Sequence, residues 1–198
     1  MTQMVFHKEF LIQSGDVSIR KMRDDDGDYR LMSKWLTDKK VLEWVYGRDN
    51  PHSLAVVREK HGPRARGEDS VVPFLVYYLE SPIGYIQFSP LDEAEGIEYG
   101  FTDIEGTYSL DLFIGEVSMW NRGIGTTAVS ALVQHLFKTV GASRLTVDPT
   151  TTNLRAIRCY EKCGFRKVRV LPKHEPHEGK YRDCWLMIVK SADRSISH

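Results

Sequence analysis

Between Trp120 and Thr126 the chain reads W-N-R-G-I-G-T, and residues of these types can hold an anion. Two glycines let the main chain approach a ligand closely, and the freed amides of a following helical turn point at it with the helix dipole behind them. Such a turn suits a diphosphate, and Arg122 adds a mobile positive charge. A tight strand-to-helix turn with no ligand carries the same G-x-G, so the motif alone leaves both readings open. It is not a Walker loop, because no Gly-Lys-Ser/Thr follows. Nor is it G-x-G-x-x-G, because Ala128 follows Thr126 and Thr127; a Rossmann unit is also disfavoured by its late position and missing βαβ setting.

Two further segments carry chemistry. The run N-L-R-A-I-R-C-Y-E-K-C-G-F (153–165) predicts a helix opened by Asn153 and stopped by Gly164, with Ala156 and Tyr160 on one face. Taken singly, Asn153 is an ordinary cap and Tyr160 a half-buried aromatic. The run L-D-L-F-I-G (110–115) is apolar around one carboxylate, Asp111, as expected of a central strand. Cys159 and Cys163 lie four apart with His174 and His177 downstream, but the spacing matches no common zinc site, so no metal is expected.

The elements that must position these residues read as strands and helices in mixed order. Alternation predicts a strand over Val17–Arg23, and the acids Asp24, Asp25, Asp26 and Asp28 then open a helix carrying Leu31, Met32, Trp35 and Leu36. A short segment Val41–Tyr46 precedes a second helix opened by Ser53, with Leu54, Val57 and His61 inward. Pro63–Asp69 reads as a charged loop. Val71–Leu79 and Ile83–Phe88 read as a hairpin turning at Glu80-Ser81-Pro82, and Asp92–Glu105 as a long acidic loop or bent strand. A helix over Thr126–Phe137, strands at Arg144–Val147, Phe165–Leu171 and Cys184–Val189, and a polar tail after Lys190 complete the chain. The expected class is α/β or α+β, with residues 1–16 as an extension, 17–190 as one domain and 191–198 as a tail.

Composition narrows the function classes. The 198 residues hold 27 Lys or Arg and 27 Asp or Glu, so the formal charge is zero, against a generic nucleic-acid or anionic-membrane binder. The 41% hydrophobic and 27% charged content fits a folded protein. No apolar run approaches the roughly 20 residues of a membrane span, and the amino terminus does not read as a signal peptide. Three cysteines make no disulfide framework and agree with a reducing cytoplasm.

Taken together, R-G-I-G-T and the N-L-R-A-I-R-C-Y-E-K-C-G-F block resemble the acetyl-coenzyme A motifs of the Gcn5-related N-acetyltransferase (GNAT) superfamily. The closer resemblance is to its aminoglycoside 6′-N-acetyltransferase branch. It is carried by D-L-F-I-G-E (111–116), W-N-R-G-I-G-T (120–126), D-P-T-T-T-N (148–153) and L-P-K-H-E-P-H-E-G-K-Y-R-D-C (171–184). In the amino half it is carried by K-W-L-T-D (34–38), V-L-E-W-V-Y-G-R-D (41–49) and P-I-G-Y-I-Q (82–87). The similarity spans Val17 to Lys190. The wider family opens its phosphate motif with Gln or Arg where this chain has Trp120, so that side-chain contact is not carried over; the main-chain amides do not depend on it.

The resemblance implies a mixed β-sheet splayed at its centre and flanked by helices, with the thioester arm of acetyl-coenzyme A (acetyl-CoA) in the splay. Phe113 and Ile114 would offer main-chain groups to that arm, Arg122, Gly123, Ile124, Gly125 and Thr126 would hold the diphosphate, and Asn153 and Ala156 would lie further along it. Acetyl transfer to an amine needs a base and a proton for the leaving thiolate, and Asp111 and Tyr160 are the candidates. A polycationic small-molecule acceptor would meet carboxylates: Asp148 and Asp183, with Glu98 among the acids Asp92, Glu93, Glu95, Asp103 and Glu105, a run that equally reads as a solvated face. Trp44 and Tyr46 are expected to stack on sugar rings. The implied activity is acetylation of the 6′-amine of aminoglycosides by direct attack in a ternary complex. Alternatives are a polyamine, a siderophore hydroxylysine or a protein amino terminus as acceptor, and a non-catalytic CoA-binding module. Monomer and homodimer stay open.

Overall fold

The computed structural model describes residues 12–191. Its strands are β1 (Ile12–Ser14), β2 (Val17–Lys21), β3 (Val72–Tyr78), β4 (Ser81–Pro90), β5 (Thr107–Ile114), β6 (Arg144–Val147), β7 (Arg166–His177) and β8 (Lys180–Lys190). The helices are α1 (Asp26–Trp35), α2 (Lys39–Leu42), α3 (Leu54–Arg66), α4 (Glu93–Tyr99), α5 (Ile124–His135) and α6 (Leu154–Lys162). All eight strands form one sheet in the order β1-β2-β3-β4-β5-β6-β8-β7, and only β5 and β6 run parallel.

The sheet is buried on both faces around β3, which reads V-P-F-L-V-Y-Y and carries an apolar or aromatic side chain at every position. Along β3, Phe74 and Val76 pack toward α5 and α6 with Val129, Leu132, Val133 and Ile157, while Leu75 and Tyr77 pack toward α1 and α3 with Met32, Trp35 and Val57. Each of these side chains contributes roughly 1.5–3 kcal/mol by leaving water. Gly115 follows β5 where no side chain fits: a Cβ there would lie 2.1 Å from the Trp35 ring. A third cluster seats α4 on β7 and β8 through Leu91, Tyr99, Leu171, Cys184 and Leu186.

The splay follows from one short pairing. β5 and β6 pair only from Thr107↔Arg144 to Ser109↔Thr146. Beyond Ser109, β5 continues to Ile114 paired with β4 alone, while β6 stays with β8. The wedge between them opens toward α5 and α6.

Several sequence expectations need correction. Asp92–Glu105 is neither loop nor strand throughout: α4 occupies Glu93–Tyr99, opened by a capping box in which Asp92 accepts the Glu95 amide and Glu95 accepts the Asp92 amide. Pro63–Asp69 is not all loop, since α3 runs through Pro63 to Arg66; in the last turn the proline removes only one helical hydrogen bond. β7 and β8 are longer than expected and meet at a two-residue turn, Glu178-Gly179, with both residues at positive φ. α5 starts at Ile124 and passes after His135 into a π-helical turn, Leu136–Val140. The sheet begins at Ile12, inside the expected extension, while residues 1–11 and 192–198 lie outside the described residues.

Candidate active site

Two clefts meet in the splay. The first, of about 390 Å³, runs between β5, the turn before α5, and α6. The second, of about 330 Å³, is walled by β4 and β5, the segment after α2, the segment after β6, and β7. Both are lined by Trp44, Val45, Leu112, Phe113, Asn153, Ala156 and Tyr160, so these seven residues mark the junction.

In the first cleft the turn into α5 has free main-chain donors. Gly123 stands before the helix at φ 79°, in the left-handed region that favours glycine, and no side chain caps the helix start. The first helical amide bond runs from Thr127 to the Gly123 carbonyl, so the Ile124, Gly125 and Thr126 amides have no partner within the helix. Arg122 is exposed beside them, its guanidinium 5.4 Å from the Tyr78 ring centre. Trp120 donates its indole N–H to the Ile114 carbonyl at 2.7 Å, and its ring carries the Arg155 guanidinium at 3.7 Å. That is why a polar residue is not needed at this position to build the turn.

The edge of β5 requires a correction. Gly115 N–H bonds to the Ile83 carbonyl, and Leu91 N–H to the Thr107 carbonyl. With the register Ile114↔Gly84 and Tyr108↔Pro90, these bonds make the even-numbered residues of β5 non-hydrogen-bonded pairs with β4. The main-chain groups of Leu112 and Ile114 therefore face the splay, whereas those of Phe113 face Tyr85 on β4. Phe113 contributes its ring to the cleft wall, and the main-chain partner missed in the sequence is Leu112. Because Trp120 occupies the Ile114 carbonyl, Ile114 offers its N–H.

On α6, the Asn153 side-chain oxygen accepts the Ala156 amide at 3.1 Å, which starts the helix and leaves the Asn153 side-chain amide as a donor. Tyr160 lies one turn beyond Ala156, buried, with its ring edge-on to Phe165 at 5.7 Å. Burial first, and the charge on Cys159, Asp111 and Asp148 after it, raise its phenol well above the usual range, so it stays protonated. Cys159, Cys163 and Cys184 form no disulfide, and among the described residues no cluster of three or more His, Cys, Asp or Glu is placed to hold a metal.

The second cleft holds Asp111. Its carboxylate is open to the cleft but crowded by protein on every other side. Gln87 Nε2 donates to Asp111 Oδ2 at 2.6 Å. Gln87 is itself fixed in that orientation, because its Oε1 accepts from the Tyr85 hydroxyl at 2.7 Å and Arg64 at 3.1 Å. Burial and then the neighbouring Asp148 raise the Asp111 carboxyl above its ordinary range, against the Gln87 hydrogen bond and the Arg64 and Lys60 charges. Glu175, also lining this cleft, is raised by burial and by Asp148.

The expected acceptor residues are brought together only in part. Asp148 lies in the cleft, accepting from the Tyr99 hydroxyl at 3.0 Å and from His174 at 2.7 Å. Glu98 does not line the cleft; it accepts from His174 Nδ1 at 2.5 Å. Asp183 lines a separate groove with Glu43, Tyr181 and Arg182, and its carboxylate accepts the Lys173 amide at 2.8 Å. Trp44 borders both clefts and that groove. Tyr46 lines the acceptor cleft, but its ring is stacked on His52 at 4.4 Å and covered by Lys60 Nζ at 3.9 Å. It therefore brings its hydroxyl, pushed up to about 12 by burial and the Asp111 charge, rather than a free stacking face. Of the other acids, Asp92 and Glu95 serve the capping box and Asp103 accepts the Glu105 amide.

Sequence reasoning missed Gln87, Tyr85, Arg64, Tyr99, His174 and Glu175. Tyr85 and Gln87 stand two apart on one strand, a spacing that puts them on one face. His174 and Glu175 are aimed inward by an irregularity in the β7–β8 pairing between Leu171 and Glu175, with Lys173 at φ 51°.

The arrangement can take a proton from a cation in one cleft and give a hydrogen bond at the junction to the other. Residues 24–172 match the acetyltransferase (GNAT) domain family. The chain is 31% identical over 167 residues to aminoglycoside N(6′)-acetyltransferase type 1 of Klebsiella pneumoniae, covering 84% of this chain and 83% of that one. It is 34% identical over 152 residues to the protein of the same name from Serratia marcescens, covering 76% and 74%. A solved aminoglycoside acetyltransferase, AAC(6′)-Ib with coenzyme A and kanamycin, superposes with a TM-score of 0.70 at 29% identity, over 91% of this chain and 99% of that one. Among the described residues, no helix is long and apolar enough to cross a membrane.

Proposed function

From the premise that this chain belongs to the acetyltransferase (GNAT) family, we propose that it transfers acetyl from acetyl-CoA to the 6′-amine of an aminoglycoside by direct attack in a ternary complex. The observation that carries this reading is the junction itself: a cleft with uncapped helix amides meets a cleft with a basic carboxylate at Tyr160. The first cleft suits the cofactor. The Ile124, Gly125 and Thr126 amides with Arg122 match a diphosphate, and the Leu112 main chain, the Ile114 N–H and the Asn153 side-chain amide match the amide-bearing arm. When bound, acetyl-CoA supplies a thioester carbonyl open to attack by an amine.

An ammonium group cannot attack, so the chain must first accept its proton. Asp111 does so: its raised basicity favours proton uptake, and Gln87 holds the carboxylate in place. An incoming cation lowers Asp111 again, which keeps it ionised until the proton moves. Tyr160, protonated and buried at the junction, donates to the sulfur as the thiolate leaves. A free thiol has a pKa of about 8.5 and a phenol about 10, so a hydrogen bond suffices for most of this stabilisation. Orientation of the two reactants across the junction contributes more than either group, up to about 7–11 kcal/mol. Asp148 and Glu175 make the acceptor cleft negative, which favours a polycation over a neutral amine.

The test is turnover of acetyl-CoA with two otherwise matched aminoglycosides, one bearing a 6′-amine and the other a 6′-hydroxyl. Turnover confined to the 6′-amine supports the proposal. Turnover with linear polyamines or peptides and with neither aminoglycoside overturns it in favour of another acceptor, and cofactor binding without turnover reduces the chain to a binding module.

A further inference from the structure

Three elements far apart in sequence meet at one imidazole on the wall of the acceptor cleft. His174, on the irregular part of β7, donates from Nδ1 to Glu98 Oε1 on α4 at 2.5 Å and from Nε2 to Asp148 Oδ2 behind β6 at 2.7 Å. Its side chain is 17% exposed. Tyr99, next to Glu98 on α4, donates to the same Asp148 oxygen at 3.0 Å and packs its ring 6.1 Å from the imidazole. Both partners are carboxylates, which when ionised only accept, so both ring nitrogens must donate and the ring is an imidazolium, a fixed cation built into this wall. Both donors to Asp148 reach Oδ2, and among the described residues none reaches Oδ1.

We propose that His174 is a positioning residue: it grips Asp148 by one oxygen so that the other meets a second ammonium group of the acceptor, and so selects di- and polyammonium acceptors over monoamines. This rests on the acetyl-transfer reading above and adds to it how the second charge is recognised. Glu98, expected to touch the substrate, instead completes the clamp from outside the cleft. The clamp also ties α4 to the sheet, which a bare acidic loop could not do. Other charged groups near the ring are Glu95 on α4, Glu175 and Lys173 on β7, Arg169, which donates to the Glu98 carbonyl, and Asp111 lining the same cleft. The two carboxylate hydrogen bonds, that of Asp148 foremost, outweigh burial and raise the imidazole to about 9.

The experiment has two arms. In the first, nitrogen-detected NMR follows the His174 ring in the unliganded wild-type protein. The proposal expects both ring nitrogens protonated at pH 7.5 and a titration midpoint near 9; a neutral ring at pH 7.5 overturns it. In the second, His174→Gln, which keeps one donor and loses the charge, is compared with wild type on a diammonium acceptor and on the same molecule lacking the second amine. The KM for the diammonium acceptor should rise about tenfold, the loss of one charge-assisted hydrogen bond, while its kcat, the monoamine KM and the acetyl-CoA KM stay within about twofold. Equal changes for both acceptors, or no change for either, overturn the proposal. If His174→Gln does not fold, the first arm decides alone. Wild-type inactivity toward both acceptors refutes the acetyl-transfer reading instead, and the clamp then stands or falls on the nitrogen titration.

Discussion

Replacing Asp111 by Asn removes the base while leaving the geometry of the cleft almost intact. The Asn side chain has the same shape, and its oxygen can accept the hydrogen bond that Gln87 Nε2 now gives Asp111 at 2.6 Å. Gln87 cannot turn away, because Tyr85 and Arg64 both donate to its oxygen. The fold should therefore survive. What is lost is proton acceptance, worth about 10²–10⁴ in rate for a positioned general base. The acceptor also loses one charge-assisted partner out of three carboxylates lining its cleft, Asp111, Asp148 and Glu175. Trading that charge for a neutral acceptor costs about 1 kcal/mol, or a KM rise of roughly fivefold. Cofactor affinity should stay within about twofold, since Asp111 does not line the cofactor cleft. Steady-state release of the CoA thiol gives kcat and KM, and calorimetry gives the cofactor Kd. A kcat for Asp111→Asn within threefold of wild type, by the scale of general-base effects, would remove Asp111 from the chemistry and with it the proton path.

Other consequences are open to the same assays. Because Asp111 is raised above the ordinary carboxylate range, kcat/KM should fall as pH drops through its raised value, and this acid limb should vanish in Asp111→Asn; a limb of unchanged position assigns it to another group. Tyr160→Phe should lower kcat about 10–100-fold with little effect on the acceptor KM, and equal rates would exclude a role for the hydroxyl at the leaving sulfur. Gly123→Ala places a side chain at φ 79°, where a Cβ meets no atom within 4 Å but the backbone is strained by about 1–2 kcal/mol. The turn should relax and the acetyl-CoA Kd rise about fivefold, measured by calorimetry; an unchanged Kd would dissociate the turn from the diphosphate. His61 is fully buried and pushed down to about 3, by burial first and then by Arg64, Lys60 and His52. The unfolded chain therefore binds a proton at this position that the folded chain refuses, and folding stability is lost as pH falls from about 6.5 toward 3, by up to about 1.4 kcal/mol per pH unit. Denaturant melts of His61→Leu should show a shallower acid slope, and an identical slope would assign the acid lability elsewhere.

The parts of this molecule legible in its sequence are those set by local chemistry. The glycine turn before α5, the Asn153 cap with Ala156 and Tyr160 following, and the lone carboxylate in β5 are each written within a dozen residues, and the family resemblance joined them into one site. In the acidic stretch after Leu91, Asp92 and Glu95 spell a capping box, a spacing that the run of acids around it masks. The hairpin end Glu178-Gly179 carried a two-residue turn signal that would have extended β7 and β8. Other features depend on contacts no local pattern records. Alternation along β5, which hands the splay to Leu112 rather than Phe113, follows from a register set by β4. The meeting of Glu98, Asp148 and His174 is made by the sheet order, which sets β8 and β7 beyond β6. Tyr46 reads as a sugar-stacking ring until His52 and Lys60 are seen to cover it.

A crystal structure with coenzyme A and a 6′-amino aminoglycoside bound together tests the central claim most directly. The account predicts the diphosphate on the Ile124, Gly125 and Thr126 amides, the thiol beside the Tyr160 hydroxyl, and the 6′-nitrogen within hydrogen-bond reach of Asp111. A cofactor seated away from the β5–β6 wedge, or a 6′-nitrogen facing away from Asp111 in a complete complex, would contradict it.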